Sequence, residues 1–256
     1  MQYAYTTIAF VILFVSSCKK PTTQPEQSFK QVTKISSSPT DFRSFTYDAN
    51  KRLTNHTIQF VNGNDVSMMS VNYFYIDGII STSSSQGGSI FYETEGSQVK
   101  VVRSFRPMGS AISTLYYTYN SNGQLIEWRE KFGQPQIDEP KESKQTFEYY
   151  ADGNLKRMLY YLKMTNDGPF TLSGSTVYDQ YDQFKNPEIS FLGTIYLPSV
   201  VFQKNNARRV RYYAANGENY QTITFNFTYD ADGYPATKLY KDDRSTVPIL
   251  FTYSYQ

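Results

Sequence analysis

Between Thr222 and Tyr229 the chain alternates without a break. Ile223, Phe225, Phe227 and Tyr229 fall on one face, and Thr222, Thr224, Asn226 and Thr228 on the other. A period of two marks a strand with one buried face. Asp230-Ala231-Asp232-Gly233 follows. Asp suits the first position of a type I turn, and Gly tolerates the left-handed backbone of the bulge that closes it. The stretch Phe225–Tyr240 therefore predicts a β-hairpin.

Turns of the same kind recur at Asp48–Lys51, Glu93–Gly96, Asn120–Gly123, Tyr150–Gly153 and Ala214–Gly217, with a tighter Asp77-Gly78. Most follow an aromatic arm, such as Phe45-Thr46-Tyr47 or Tyr116-Tyr117-Thr118-Tyr119, and many precede a Leu- or Ile-bearing arm, such as Leu53, Leu125 and Leu155. Units of this sort cannot bury a face alone and must stand side by side. A weaker set of turns, among them Asn62–Asp65, Gln86–Gly88, Pro107–Ser110 and Asn166–Pro169, alternates with the first, as an up-and-down meander requires. Pairing the two sets gives about 14–16 antiparallel strands.

The parity fails once. Ala214–Gly217 and Asp230–Gly233 are separated by one strand, so they belong at opposite ends of the sheet. Parity returns if the stretch 187–206, with Pro187 and Pro198, leaves one end of the sheet and comes back to it. The reading places an irregular excursion there, partly non-sheet, that covers an edge or plugs an end.

The first residues read differently. Ile8–Val15 is an apolar run of signal-peptide length, and Val15-Ser16-Ser17-Cys18 resembles a bacterial lipobox, although no Lys or Arg precedes the run. That resemblance implies cleavage after residue 17 and lipidation of Cys18, the only cysteine. Lys19 follows it, which in the enterobacterial sorting rule favours the outer membrane. In Bacteroidota, surface export goes with acidic residues just after the cysteine. Lys19-Lys20-Pro21 stands there instead, which points to the periplasmic face. Residues 18–40 have little to bury and read as a flexible tether with a reach of about 25 Å, leaving 41–256 as one all-β domain.

The Tyr-Asp-x-x-Gly arms resemble the YD repeats of the Rhs family. More closely, Phe227-Thr-Tyr-Asp-Ala-Asp-Gly-Tyr-Pro235 and Tyr181-Asp-Gln-Phe-Lys-Asn-Pro187 resemble an uncharacterised family of Bacteroidota lipoproteins. The resemblance implies a porin-like fold and no catalytic residues. A lipid-spanning barrel, however, carries an apolar band outward. Here the clean strands pair an aromatic face with a Thr, Asn and Ser face. The expectation is a strongly curved sheet or barrel with its apolar face inward, soluble rather than membrane-spanning.

Composition narrows the chemistry. Aromatics are 17% of 256 residues, with 24 Tyr and 18 Phe, while one His and one Cys leave little for His-based catalysis, a His-rich metal site or an internal disulfide. A net charge of +2 gives no basic stripe for nucleic acid. No nucleophile elbow, phosphate loop, zincin or dinucleotide pattern occurs. No cofactor and no metal is expected. Asp230-x-Asp232-Gly233 lacks the further ligands of a calcium loop and reads as turn chemistry.

Trp128, the only Trp, sits by alternation with Ile126 and Glu130. It reads either as a core aromatic or as a platform for stacking a sugar ring. Lys204, Arg208, Arg209 and Arg211 form a basic cluster that alternation splits between faces, a solvated or edge-protecting role rather than an anion site. His56 stands alone and reads as structural or surface. The pairs Asp179 with Asp182 and Glu127 with Glu130 are available as hydrolase carboxylates, but such pairs have no spacing signature. The functional expectation is a lipid-anchored envelope protein, non-enzymatic, that binds a glycan or other envelope ligand. A structural or protein-interaction lipoprotein is the alternative, and a hydrolase comes last.

Overall fold

The computed structural model describes residues 30–63, 65–85, 88–107, 109–136, 138–188 and 196–256. The expected leader at 1–17, Cys18 and the first part of the expected tether lie outside the described residues, as does 189–195 within the excursion. The chain begins with β1 (Val32–Ser36), β2 (Phe42–Tyr47), β3 (Leu53–Asn62), β4 (Asp65–Ile76), β5 (Ile79–Ser85) and β6 (Gly88–Glu95). Next come β7 (Gln98–Phe105), β8 (Ala111–Tyr119), β9 (Leu125–Phe132), β10 (Glu142–Tyr149) and β11 (Leu155–Lys163). The last are β12 (Thr171–Lys185), β13 (Asn205–Ala214), β14 (Asn219–Tyr229), β15 (Pro235–Asp242) and β16 (Ile249–Tyr255). Each pairs antiparallel with its neighbours in sequence, and β1 pairs with β16, so the meander closes into a 16-stranded barrel. The all-β antiparallel meander expected from the periodicity is the fold observed.

One boundary moves. The tether was expected to run to residue 40, but Val32–Ser36 is a strand paired on both sides, and it closes the barrel. Its inward residues are Val32 and Ile35, both buried. A bulge between Val32 and Lys34 spaces them by three instead of two, so alternation does not reveal them.

The turns at one end are built as their residues dictate. Asp48 Oδ1 accepts from the backbone N–H of Asn50 and Arg52, Asn120 Oδ1 from Asn122 and Gln124, and Asp230 Oδ1 from Asp232 and Tyr234. The fourth position is left-handed, with φ of 76° at Gly123 and 80° at Gly233. Each turn is followed by a bulge where the next strand starts, at Leu53, Leu125 and Pro235. Asp230 and Asp232 also hold Lys30 Nζ, at 2.8 and 2.5 Å, which fixes the start of the barrel chain against this end.

A second device reinforces the same end. The hydroxyls of Tyr47, Tyr75, Tyr149, Tyr181 and Tyr255 donate to the carbonyls of Val32, Leu53, Leu125, Leu155 and Pro235, at 2.6–3.0 Å. In each case the donor lies at or near the end of an even-numbered strand and the acceptor begins the strand before it. A bulge disrupts the ladder at the acceptor's end of the strand, and the phenol takes up its carbonyl.

The connection between β12 and β13 leaves and rejoins the barrel at this end, as the parity of the turns requires. Its described part enters the lumen. Leu197 and Phe202 are buried, the Phe202 ring lies 5.0 Å from that of Phe147, and the Phe202 carbonyl accepts from Leu155 N–H. Buried Asn154 ties it down by accepting from the N–H groups of Lys204 and Asn205. With the sheet closed, the segment has no edge to cover; it plugs an end. The opposite end, where β1 meets β2 and β15 meets β16, is the mouth.

Inside, Val71, Val102, Leu115, Leu125, Leu155, Met158 and Tyr178 form a filled core toward the plugged end. Outside, the wall is largely hydroxylic or charged. Asn55 Nδ2 donates to Ser70 Oγ, Arg157 pairs with Glu148, and Arg209 and Arg211 share Asp179. Exposed outward apolar side chains, Phe74, Phe91, Ile112 and Tyr116 among them, gather on the β4–β8 side.

Candidate functional site

Toward the mouth the filling stops. A cavity of about 680 Å³ opens between β1–β3 and β14–β16. Its walls come from the inward positions of those strands: Ile35, Ile58, Ile223, Phe225, Tyr240 and Phe251. Phe60 and Ile249 stand at its rim and are exposed. Period-two strands closed into a ring put such residues together, because each supplies its apolar face to the same interior.

The floor is ionic. Glu188, from the segment that plugs the other end, reaches in and is almost fully buried. Its Oε1 accepts from Lys238 Nζ at 2.5 Å and from the Tyr253 hydroxyl at 2.6 Å. Burial pushes its carboxyl up. The charges of Lys238 and Arg43 and the two hydrogen bonds outweigh that and hold it below the usual carboxylate range. Arg43 occupies the inward register between Ile35 of β1 and Ile58 of β3. Its guanidinium lines the cavity and makes no hydrogen bond or ion pair among the described residues.

A second hollow of about 420 Å³ adjoins on the β10–β13 side and shares Tyr212 with the first. Its lining mixes hydroxyls and amides, from Ser143, Gln145, Thr176 and Tyr220, with Leu162 and the rings of Tyr160 and Tyr212. The mouth thus has an apolar lobe with an ionic floor and a lobe of mixed lining, in which hydroxyls and amides stand beside aromatic rings.

The residues singled out in the sequence fall elsewhere. Trp128 is 7% exposed, with its ring near-perpendicular to Tyr117 and to Phe147 in the filled core. That is the packing position of the two considered, and the ring has no open face toward solvent. Leu125, displaced by its bulge, shares the interior with it, whereas the alternation pointed to Ile126. His56 is buried, stacked on Phe45 at 4.7 Å, with neither ring nitrogen hydrogen-bonded. Burial and the charge of Arg43 push its pKa down to about 4.

Neither carboxylate pair assembles. Glu130 lies inward, in register with Leu115 and Ser143, and burial raises its pKa, while Glu127 is on the outer face between Thr118 and Thr146. Asp179 is held by Arg209 and Arg211 on the outer wall, and Asp182 accepts from the Tyr229 hydroxyl. Of the basic cluster, Arg209 and Arg211 share a face as expected, Lys204 caps the Asp152 carbonyl, and Arg208 is exposed near Asp182. The floor residues Arg43, Glu188 and Lys238 were not singled out. The one sequence signal for them is a lone charge at an inward position of a strand, at Arg43 and Lys238.

No protein-family description matches the chain, and no curated protein does. Among solved structures it is similar to a porin-like protein from Bacteroides uniformis ATCC 8492, with a TM-score of 0.58 and 14% identity, over 88% of this chain and 98% of that one. A porin-like protein from Bacteroides vulgatus ATCC 8482 matches at 13% identity and a TM-score of 0.45, over 88% of this chain and 99% of that one. The TcdB2-TccC3-Cdc42 structure matches at 13% identity and a TM-score of 0.29, over 82% of this chain and 14% of that one. At such identities the first likeness is one of fold, and it agrees with the porin-like fold that the hairpin resemblance implied.

Proposed function

We propose that this chain is a non-enzymatic envelope lipoprotein, held by Cys18 to the outer membrane on its periplasmic face. Its barrel stands clear of the bilayer and takes a small ligand into the mouth. The observation that carries the binding reading is the 680 Å³ void that opens at the mouth of the barrel, above its filled core. A purely structural barrel has no use for an unfilled, apolar, one-ended cavity of ligand size. The hydroxyls and amides of the second lobe give a polar portion of the ligand, a head group or a glycan, a place beside the apolar one. Catalysis finds little support: Glu188 is already engaged by Lys238 and Tyr253, and the other carboxylates considered are dispersed.

The outer wall supports a barrel outside the lipid. Glu142 is buried against the wall between Arg129 and Lys163, and Asp179 is shared by Arg209 and Arg211. A lipid-facing wall would be apolar over about 25 Å of height. The exposed outward apolar residues gather mainly on the β4–β8 side, with Leu250 apart from them on β16, and make no girdle.

Two measurements test this reading. Cys18→Ser should move the protein from the membrane pellet to the soluble fraction and abolish palmitate labelling; retention in the pellet would mean that the strands themselves span the bilayer. The neutral probe N-phenyl-1-naphthylamine should bind the soluble variant saturably, and Ile223→Trp, which fills the apolar lobe, should remove that binding. No binding, or binding indifferent to Ile223→Trp, would overturn the lumen site.

A further inference from the structure

We infer that the apolar lobe takes a single-chain amphiphile with an anionic head, a long-chain carboxylate, whose head sits on Arg43. This rests on the lumen-binding reading above and names the ligand class for that site.

The charges lining the lobe are Asp41, Arg43, Glu188 and Lys238. Asp41 belongs to the β1–β2 turn at the rim, where its carboxylate accepts from Ser38 Oγ and from Val61 N–H. Within the wall, Glu188 and Lys238 neutralise each other at 2.5 Å. Arg43 is left over. It faces the cavity with no hydrogen-bonding partner among the described residues, so the floor sets two cations, Lys238 and Arg43, against the one carboxylate of Glu188 and carries a net positive charge. A guanidinium presents a planar fork of donors that matches a carboxylate in two parallel hydrogen bonds. An anion there gains a partner that the protein does not supply.

The walls select the rest of the ligand. The wall formed by Ile35, Ile58, Ile223, Phe225 and Phe251 offers no hydrogen-bonding side-chain atoms, so a hydroxyl group placed along it would lose its water without compensation. A flexible alkyl chain loses nothing on entering. Arg43 is in register with Ile35, and Ile35 with Tyr253, whose hydroxyl is held by Glu188, so the guanidinium belongs to the floor. Phe60 and Ile249 line the rim. The ligand therefore enters head first, with its tail along the aliphatic wall and its end between the rim residues.

The test is displacement of N-phenyl-1-naphthylamine from the Cys18→Ser protein by dodecanoate, dodecanol and dodecyltrimethylammonium, each below its micellar concentration. Dodecanoate should compete at least tenfold more tightly than dodecanol, and the cation least well. From octanoate to dodecanoate each added methylene should tighten binding roughly fourfold. Arg43→Gln should bring dodecanoate to the level of dodecanol and leave dodecanol unchanged; Arg43→Lys should keep part of the preference. A thermal melt of each variant confirms that it is folded, as expected for a side chain exposed to the lumen. Equal competition by dodecanoate and dodecanol overturns the proposal but leaves the lumen site standing. So does a preference that survives Arg43→Gln, or a probe that binds and that no C12 compound displaces. A probe that does not bind at all overturns both.

Discussion

Glu188 and Lys238, fifty residues apart in the chain, meet at 2.5 Å inside the barrel. One comes from the segment that plugs the lumen and the other from the wall, so the pair fastens plug to barrel. Tyr253, on the adjacent strand, donates to the same carboxylate oxygen. A buried ion pair need not add net stability, because two desolvation costs stand against one attraction. Losing one member is different, since the survivor keeps its charge and loses its partner.

Glu188→Gln should therefore destabilise the fold by about 3–5 kcal/mol. The double variant Glu188→Leu with Lys238→Met, of similar volume and no charge, should recover most of that loss. Urea denaturation with an unchanged m-value would measure both. A double variant as unstable as the single one would show that shape, and not the uncompensated charge, sets the cost.

The tyrosine clamps predict a graded loss. Removing one hydroxyl leaves a carbonyl at a bulged strand start without its donor, and such a hydrogen bond is worth about 1 kcal/mol net. Tyr47→Phe, Tyr149→Phe and Tyr181→Phe should each cost about that much. They lie on separate hairpins, so the triple variant should cost close to the sum. Tyr213→Phe, on the outer face, serves as the control and should cost nothing measurable. Clamp variants indistinguishable from that control would reduce these bonds to incidental geometry.

These clamps also show what in the fold was legible. The Tyr-Asp-x-x-Gly pattern is local, because the Asx side chain closes its own turn two and four residues on, and the left-handed position wants Gly. Local chemistry leaves a repeat in the sequence. The partner of each phenol is a main-chain carbonyl, 15 to 26 residues back, and a carbonyl has no residue identity to read. The Tyr was visible and its reason was not. Val32–Ser36 was missed for a related cause: its bulge breaks the period of two inside a stretch rich in Lys, Ser and Thr. The mouth site was the least legible. Arg43, Glu188 and Lys238 meet only because a closed ring of strands and a plugging segment bring three distant stretches together, and no spacing encodes that.

The strand β1 supplies the next prediction. A chain starting at residue 41 lacks it, and β2 and β16 then become free edges, which are templates for association. Burial of Val32 and Ile35 is also lost, worth about 2 kcal/mol each. Such a chain should elute as oligomers or aggregate and melt well below one starting at residue 30. Equal melting temperatures and a monomeric profile for both would mean that β1 is dispensable to closure.

His56 makes stability depend on pH. Its folded pKa is pushed down to about 4 from an ordinary 6.5, chiefly by burial and further by Arg43. The folded state therefore binds fewer protons than the unfolded state across that window. The stability from this group is complete above pH 6.5 and is lost as pH falls toward 4, by about 3 kcal/mol in all. Glu188 acts with the same sign, since a depressed carboxyl stabilises above its unfolded pKa and stops doing so as pH falls through its folded one. The two are separable. His56→Phe keeps a ring against Phe45 and removes the titration, so its urea midpoint should change little from pH 7 to 5, where the parent chain weakens. Below pH 4.5 both proteins should lose stability together, through Glu188 and the other paired carboxylates. Parallel pH profiles for parent and variant from pH 7 to 5 would mean that His56 finds a proton acceptor or water in solution and is not held neutral.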